Sequence, residues 1–251
     1  MQDKTVLITG ASSGIGRATA ICLSKEFARL ILCGRNHEAL NKLQKELTGC
    51  KTHVLNFDVR SREAVNTSVK QLPKRFSTID ILINNAGNAH GLDFLQDGDP
   101  EDWDAMLDIN VKGLLNVTQA ILPQMVERKS GHIINVGSTA AKEVYPKGNV
   151  YCASKHAVDA LNHGMRLDLN GTGVKVGAVH PGLVATNFSE VRFKNDTERA
   201  KQVYTGYKAL EAEDVARTIL YMLQQPEHVN ITELVVMPSA QASSTIIDKH
   251  D

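Results

Sequence analysis

Tyr151 and Lys155 stand four residues apart in Tyr151-Cys152-Ala153-Ser154-Lys155, and Ser138 lies thirteen residues before the tyrosine. On a helix, residues four apart share one face, so a phenol and an ammonium can meet there. Alone such a pair is common and says little. A free phenol titrates near 10, too high for a base at neutral pH. Lowering it by roughly three units takes about 4 kcal/mol, and an ammonium about 4 Å away supplies about that much at an effective dielectric near 20. The spacing therefore suits a tyrosine of lowered pKa that gives and takes a proton. Ser138 would donate to an oxygen on which charge develops.

A second group of residues suits a phosphate-bearing ligand. Residues 9–16 read TGASSGIG. Gly10, Gly14 and Gly16 let backbone approach a ligand closely, and the helix that follows offers free N–H groups and the positive end of its dipole. The pattern is neither GxGxxG nor a P-loop, because Arg17-Ala18 stands where a P-loop needs Lys-Ser/Thr. About 20 residues on, an NAD site would carry an acidic residue for the ribose hydroxyls. Here the chain reads Cys33-Gly34-Arg35-Asn36. No carboxylate repels a 2′-phosphate, and Arg35 can fork onto one, so NADP(H) is expected over NAD(H); otherwise Arg35 is a solvated loop charge. In Asp58-Val59 the carboxylate either accepts from an adenine amino group or caps the next helix.

These residues need a scaffold, and the hydrophobic pattern supplies one. Strands are expected at 5–9, 30–33, 53–57, 79–84, 132–136, 174–180 and 232–237, rich in Val, Ile and Leu as for strands buried on both faces. Helices are expected between them at 14–27, 38–47, 62–74, 101–128, 150–170 and 212–224. The alternation predicts a Rossmann-like, doubly wound parallel α/β sheet of seven strands with helices on both faces. Ligands of such sheets bind outside the carboxyl ends of the strands. Ser138, Asn84-Asn85-Ala86-Gly87 and His180-Pro181-Gly182 all fall at such ends. Asn110 interrupts the longest predicted helix, where Asn is a poor helix former.

Composition narrows the class. The 251 residues are 42% hydrophobic and 22% charged, which fits an ordinary globular chain, and one domain over 1–251 is the simplest reading. Lys+Arg and Asp+Glu are 28 each, so the basic excess of a nucleic-acid binder is missing. The longest apolar run is residues 219–223, far short of the roughly 18 that a membrane span needs. The start of the chain enters a strand without a signal-peptide core, and Cys22, Cys33, Cys50 and Cys152 are scattered, so a cytoplasmic protein with free thiols is expected. Nine histidines without HExxH spacing give no reason to expect a metal.

Taken together, the motifs resemble the short-chain dehydrogenase/reductase family along essentially the whole chain. TGASSGIG is similar to its TGxxxGxG turn, NNAG at 84–87 to its strand motif, and Pro181-Gly182 with Thr186 to its PGxxxT cofactor loop. Asn110, Ser138, Tyr151 and Lys155 fall where its catalytic tetrad would. Segments 125–140, 148–155, 191–196 and 226–231 resemble its 3-hydroxy acid (serine) dehydrogenase branch.

The resemblance implies an NADP-dependent oxidoreductase acting on CH–OH. Tyr151 would be general acid in reduction and general base in oxidation, Lys155 would also hold the nicotinamide ribose, and Asn110 would anchor a relay water. Cofactor contacts are implied for Gly10, Ser12, Ser13, Gly14, Ile15, Gly16, Arg35, Asp58, Val59, Asn85, Ala86, Gly87, Tyr151, Lys155, Pro181, Gly182, Val184 and Thr186. A homotetramer built on helices 101–128 and 150–170 is implied, as is a substrate flap at about 187–208. Within the flap Arg192 or Lys194 could bind a substrate carboxylate, or both could be solvated; Tyr145 and His90 could line the pocket or be ordinary loop side chains. The competing readings are a broad NADPH-dependent carbonyl reductase and a non-catalytic NADP-binding sensor.

Overall fold

The computed structural model describes residues 3–250. Its strands are β1 (Thr5–Thr9), β2 (Arg29–Gly34), β3 (Lys51–Asn56), β4 (Ile81–Asn84), β5 (Gly131–Val136), β6 (Val174–Pro181), the two-residue pair β7 (Val184–Ala185) and β8 (Leu210–Glu211), and β9 (Glu233–Val236). The helices are α1 (Gly14–Leu23), α2 (His37–Glu46), α3 (Arg62–Lys70), α4 (Pro100–Leu107), α5 (Leu114–Glu127), α6 (Asn149–Asp168), α7 (Phe188–Arg192), α8 (Thr197–Gln202) and α9 (Ala212–Leu223). Seven strands form one parallel sheet in the order β3-β2-β1-β4-β5-β6-β9. The order reverses between β1 and β4, and a crevice opens there at the carboxyl edge.

The doubly wound sheet follows from its side chains. Every residue of β1 and β4 is buried, because each strand is covered on both faces. Val6, Ile8, Leu30 and Leu32 face Leu40 of α2 and Val215, Ile219 and Met222 of α9. Leu7, Ile31, Leu82 and Ile133 face Val65 of α3 and Val117, Ile121 and Met125 of α5. The period of two along β1 thus divides the core into two layers.

Besides other shifted ends, α1 stopping at Leu23 and not at 27 among them, the structure departs from the expected elements in three places. The helix expected at 62–74 ends at Lys70, three residues before Pro73, since proline cannot continue a helix without losing a hydrogen bond. The helix expected at 101–128 is α4 and α5 joined by a π-helical turn, Asp108–Gly113, that contains Asn110. Such turns insert one residue into a helix and gather at functional sites. Gly113 allows the turn to press on β3's exit: a Cβ there would lie 2.6 Å from Val59 Cγ2. The third difference is the parallel pair β7–β8, which joins the two ends of the segment carrying α7 and α8.

Candidate active site

The crevice is a cleft of about 520 Å³. Its floor is the turn between β1 and α1. Gly10 and Gly14 have φ of +65° and +50°, conformations that glycine adopts without steric cost. Gly16 serves the turn in another way. A Cβ there would lie 2.2 Å from the Gly10 carbonyl oxygen, so it lies under the turn and does not line the cleft. Asn85 stitches the turn to the end of β4. Its Nδ2 donates to the carbonyls of Thr9 (2.9 Å) and Gly10 (3.3 Å). The Thr9 hydroxyl oxygen accepts from the N–H of Asn85 (3.0 Å) and Ala86 (2.9 Å). Ser12, Ser13, Ile15, Val59, Gly87, Pro181, Gly182, Val184 and Thr186 line the same cleft.

At one end of the cleft stands Arg35, its side chain 61% exposed. Its backbone is fixed by Asn56, whose Nδ2 donates to the Gly34 and Arg35 carbonyls, each at 2.9 Å. Asp58 lines the cleft beside it, 3.9 Å from Arg35 Nη1. It is not the helix cap that the sequence left open: Ser61 caps α3, accepting from the Ala64 N–H. Instead Arg60 grips Asp58 through Nε (3.0 Å), Nη2 (2.7 Å) and its backbone N–H (2.9 Å). Burial pushes the Asp58 carboxyl up, but the Arg60 hydrogen bonds and charge, with Arg35, leave it below its usual range. Arg60 is not legible in the sequence, because nothing in its spacing ties it to Asp58.

The residues expected to handle the proton, Ser138, Tyr151 and Lys155, line the same cleft. Ser138 follows β5 in extended backbone, and its hydroxyl oxygen accepts from the Ala140 N–H at 3.1 Å, leaving its proton free to be donated. Tyr151, in the first turn of α6, is 8% exposed, and its ring leans on Phe188 at 5.7 Å between centroids. Lys155 Nζ donates to the Val136 carbonyl at 3.1 Å. Gly87 makes room above it, since a Cβ there would lie 3.4 Å from Nζ.

The electrostatics correct one expectation. Burial pushes the Tyr151 phenol up; Tyr145 adds to this, while the Ser138 hydrogen bond and the Arg192 charge pull it down less strongly. Burial lowers Lys155 to about 8. In the chain alone burial therefore keeps the proton on the tyrosine.

Asn110 lies behind the cleft wall and is 2% exposed. Its Nδ2 donates to the Asn88 carbonyl (2.8 Å) and the Ser154 hydroxyl (2.9 Å), and its Oδ1 accepts from the Asn88 N–H (2.7 Å). Ser154 passes the contact on by donating to the Tyr151 carbonyl at 2.7 Å. Both amide hydrogens of Asn110 are thus spent on the protein. Its side chain fixes the α6 turn that carries Tyr151.

The segment expected to form a flap holds its two basic candidates apart. Arg192 lines the cleft, with its guanidinium carbon 5.6 Å from the ring centroids of both Tyr145 and Tyr151. Nη1 donates to the Tyr145 hydroxyl (3.0 Å) and Nε to the Gly91 carbonyl (3.1 Å). Lys194 does not line the cleft. It turns outward to Asp102 (3.1 Å) and Asp99 (3.4 Å). The reason is the two acids around the α4 N-terminus, which draw the ammonium away. His90 lies in an adjoining hollow with Asp102 and Trp103, and burial holds its pKa down. Gln241 and Ser244 also line the cleft, and the Gln241 side-chain oxygen accepts from the Leu183 N–H at 2.9 Å. No motif in the tail signals them.

The chain is similar along most of its length to known proteins. A family model described as short chain dehydrogenase matches residues 4–197. The NADP-dependent 3-hydroxy acid dehydrogenase YdfG of Escherichia coli is 43% identical over 242 residues, 94% of this chain and 96% of that protein. Sulfoacetaldehyde reductase 2 of Chromohalobacter salexigens is 43% identical over 248 residues, 98% of each chain. Among solved structures, the closed form of a serine dehydrogenase complexed with NADP+ superposes with a TM-score of 0.92 at 42% identity, covering 96% of this chain and 98% of that one.

Proposed function

The chain belongs to the short-chain dehydrogenase family, and on that premise we propose that it oxidises small 3-hydroxy acids, hydroxy amino acids such as serine among them, with NADP. The observation that carries this reading is Arg192, a cation 5.6 Å from the ring of the proton-transferring phenol. A 3-hydroxy acid has its carbinol and carboxylate separated by a single carbon. A guanidinium beside Tyr151 can fork onto the carboxylate while the carbinol oxygen reaches the phenol and Ser138.

NADP, when bound, accepts or returns the hydride. The remaining work falls to side chains. The α1 N-terminus, with Gly10, Ser12, Ser13, Gly14 and Ile15, takes the diphosphate, and Arg35 takes the 2′-phosphate while Arg60 neutralises Asp58. Asn85, Ala86, Gly87 and the Pro181–Thr186 loop flank the nicotinamide end. In oxidation the phenol, having passed its own proton on toward Lys155 and water, receives the substrate's hydroxyl proton; in reduction it protonates the carbonyl oxygen. Ser138 donates to that oxygen throughout, and the 187–208 flap closes the cleft against water. Lys155 holds the ribose, and Asn110 positions Tyr151 through Ser154.

We also propose that residues 1–251 act as one catalytic domain, that the protein is cytoplasmic, and that four copies assemble. Among the described residues no helix is long and apolar enough to cross a membrane. Leu115 and Val126 of α5 and Leu167 of α6 are exposed apolar side chains on the helices expected to pair.

Initial rates with NADP and NAD against serine, 3-hydroxypropanoate, a sulfonated aldehyde and uncharged ketones test the function. The reading requires NADP-dependent turnover of the hydroxy acids at a kcat/KM at least about tenfold above that of uncharged alcohols of equal size. Preference for uncharged ketones would replace it with a broad carbonyl reductase. Tight NADP binding without turnover of any of them would leave a sensor.

A further inference from the structure

We infer that His180 is a positioning residue for Ser138. The inference rests on the reading of Ser138 as the donor to the substrate oxygen. His180 sits in β6 beside β5 and is 0% exposed. Its Nδ1 lies 3.3 Å from the Ser138 carbonyl oxygen. A carbonyl can only accept, so the ring nitrogen carries the hydrogen. Burial, followed by the Lys142 charge, holds the ring below its ordinary pKa. At neutral pH it therefore has one proton, and that proton is on Nδ1.

The contact exists because Gly137 has no side chain. A Cβ there would lie 2.4 Å from Nδ1, and any other residue would push the ring off the serine. Gly137 is in turn fixed to the same strand, its N–H donating to the Val179 carbonyl at 2.7 Å. The ring thus fixes the direction of the Ser138 carbonyl. That direction is the ψ of the serine, 160° in this structure, and through it the ring holds the backbone from which the hydroxyl projects.

The far edge of the ring meets a cluster of charged side chains. Nε2 is buried without a hydrogen-bond partner, 3.5 Å from Asp159 Oδ1 and 3.8 Å from Glu233 Oε2. These three groups are close enough together to hold a metal ion. However, Lys142 already bridges both carboxylates, with Nζ 2.9 Å from Asp159 Oδ2 and 2.6 Å from Glu233 Oε2, and His163 lies 3.9 Å from Glu233. The seat a cation would take is filled by that ammonium. At this edge the Lys142 ammonium works against protonation of the ring while the two carboxylates work for it. Turning the ring over would remove the donor from the Ser138 carbonyl.

Two substitutions separate the edges of the ring. His180→Asn keeps an N–H donor near the position of Nδ1 and discards the Nε2 edge; His180→Gln does the reverse. With 3-hydroxypropanoate and NADP, turnover is counted per NADPH-binding site. His180→Asn should keep kcat within about threefold of the parent. His180→Gln should lose about 10–100-fold in kcat, the scale on which small misplacements of catalytic groups are felt, with the KM for NADP unchanged. In a Ser138→Ala background, His180→Gln should cost less than about twofold more, because residues acting through one another are not additive. Equal damage from Asn and Gln would overturn the inference. So would a Gln variant with parental kcat, or a Gln loss that persists in full without the serine hydroxyl. A Ser138→Ala enzyme that itself keeps parental turnover would remove the reading of Ser138 instead, and the single variants show which of the two has failed.

Discussion

Lys155 donates to the carbonyl of Val136, Nζ to oxygen 3.1 Å, and so ties the helix that carries Tyr151 to the last residue of the strand that leads to Ser138. The lysine is buried for this, and burial lowers it from 10.5 to about 8. Below pH 8 it is charged in both the folded and unfolded chain, and folding bears the whole cost of burying an ammonium. Between 8 and 10.5 the folded protein releases the proton and the unfolded chain keeps it, so stability rises with pH across that window. Lys155→Met should therefore be more stable than the parent at pH 7, by up to about 3 kcal/mol, with a gain that fades by about pH 10.5. Urea unfolding at both pH values measures it. A gain independent of pH, or a less stable variant at pH 7, contradicts the burial argument.

Tyr151→Phe keeps the ring packed on Phe188 and removes only the hydroxyl. NADPH affinity should survive, read by fluorescence titration. Turnover should fall at least about 10²-fold, the lower range for a general acid–base group. A variant with more than about a tenth of parental turnover would remove the phenol from the reaction.

Arg192 and Lys194 lie two residues apart in sequence and on opposite sides of the flap. Arg192→Leu should raise the KM for hydroxy acids at least about tenfold and leave an uncharged alcohol little changed, since only the carboxylate loses its fork. Lys194→Ala should affect both substrates alike, because its partners are Asp99 and Asp102. Selective loss of hydroxy acids in the lysine variant would reverse the assignment.

Arg35→Ala should raise the KM for NADP at least about tenfold without changing that for NAD, because the 2′-phosphate is the only group the two cofactors do not share. Equal effects on both would detach Arg35 from that phosphate.

Light scattering at micromolar concentration should give four times the chain mass. Changing Leu115 and Leu167 to Glu should lower that mass if these apolar faces are the contacts. A parent protein that runs at the mass of one chain would rule out the assembly.

The sheet is readable in the sequence because strands buried on both faces must be near-continuously apolar, and β1, β4, β5 and β6 are. The glycine turn and the Tyr151–Lys155 spacing are readable because the chemistry constrains residue type and separation within a few positions. What is not readable depends on partners distant in sequence. Asn110 interrupts a helical pattern, but its place in the π turn depends on Asn88 and Ser154. Lys194 and Arg192 look alike until Asp99 and Asp102 are brought beside one of them. The direction of the phenol's shift cannot be read at all, because helical spacing gives the distance to an ammonium and says nothing of how dry the site is.

The β7–β8 pair makes the flap a loop whose ends are clamped side by side, Val184 against Leu210 and Ala185 against Glu211. What lies between is free to vary without moving the sheet. Closing a flexible loop costs free energy that grows only with the logarithm of its length, about 0.6 kcal/mol per doubling. Residues 189–209, beyond Thr186 of the cofactor loop and Phe188 against Tyr151, are thus an exchangeable cassette. A segment of different length and charge, grafted between the same two clamps, should retarget the enzyme to other alcohols while Tyr151, Ser138 and Lys155 keep their positions.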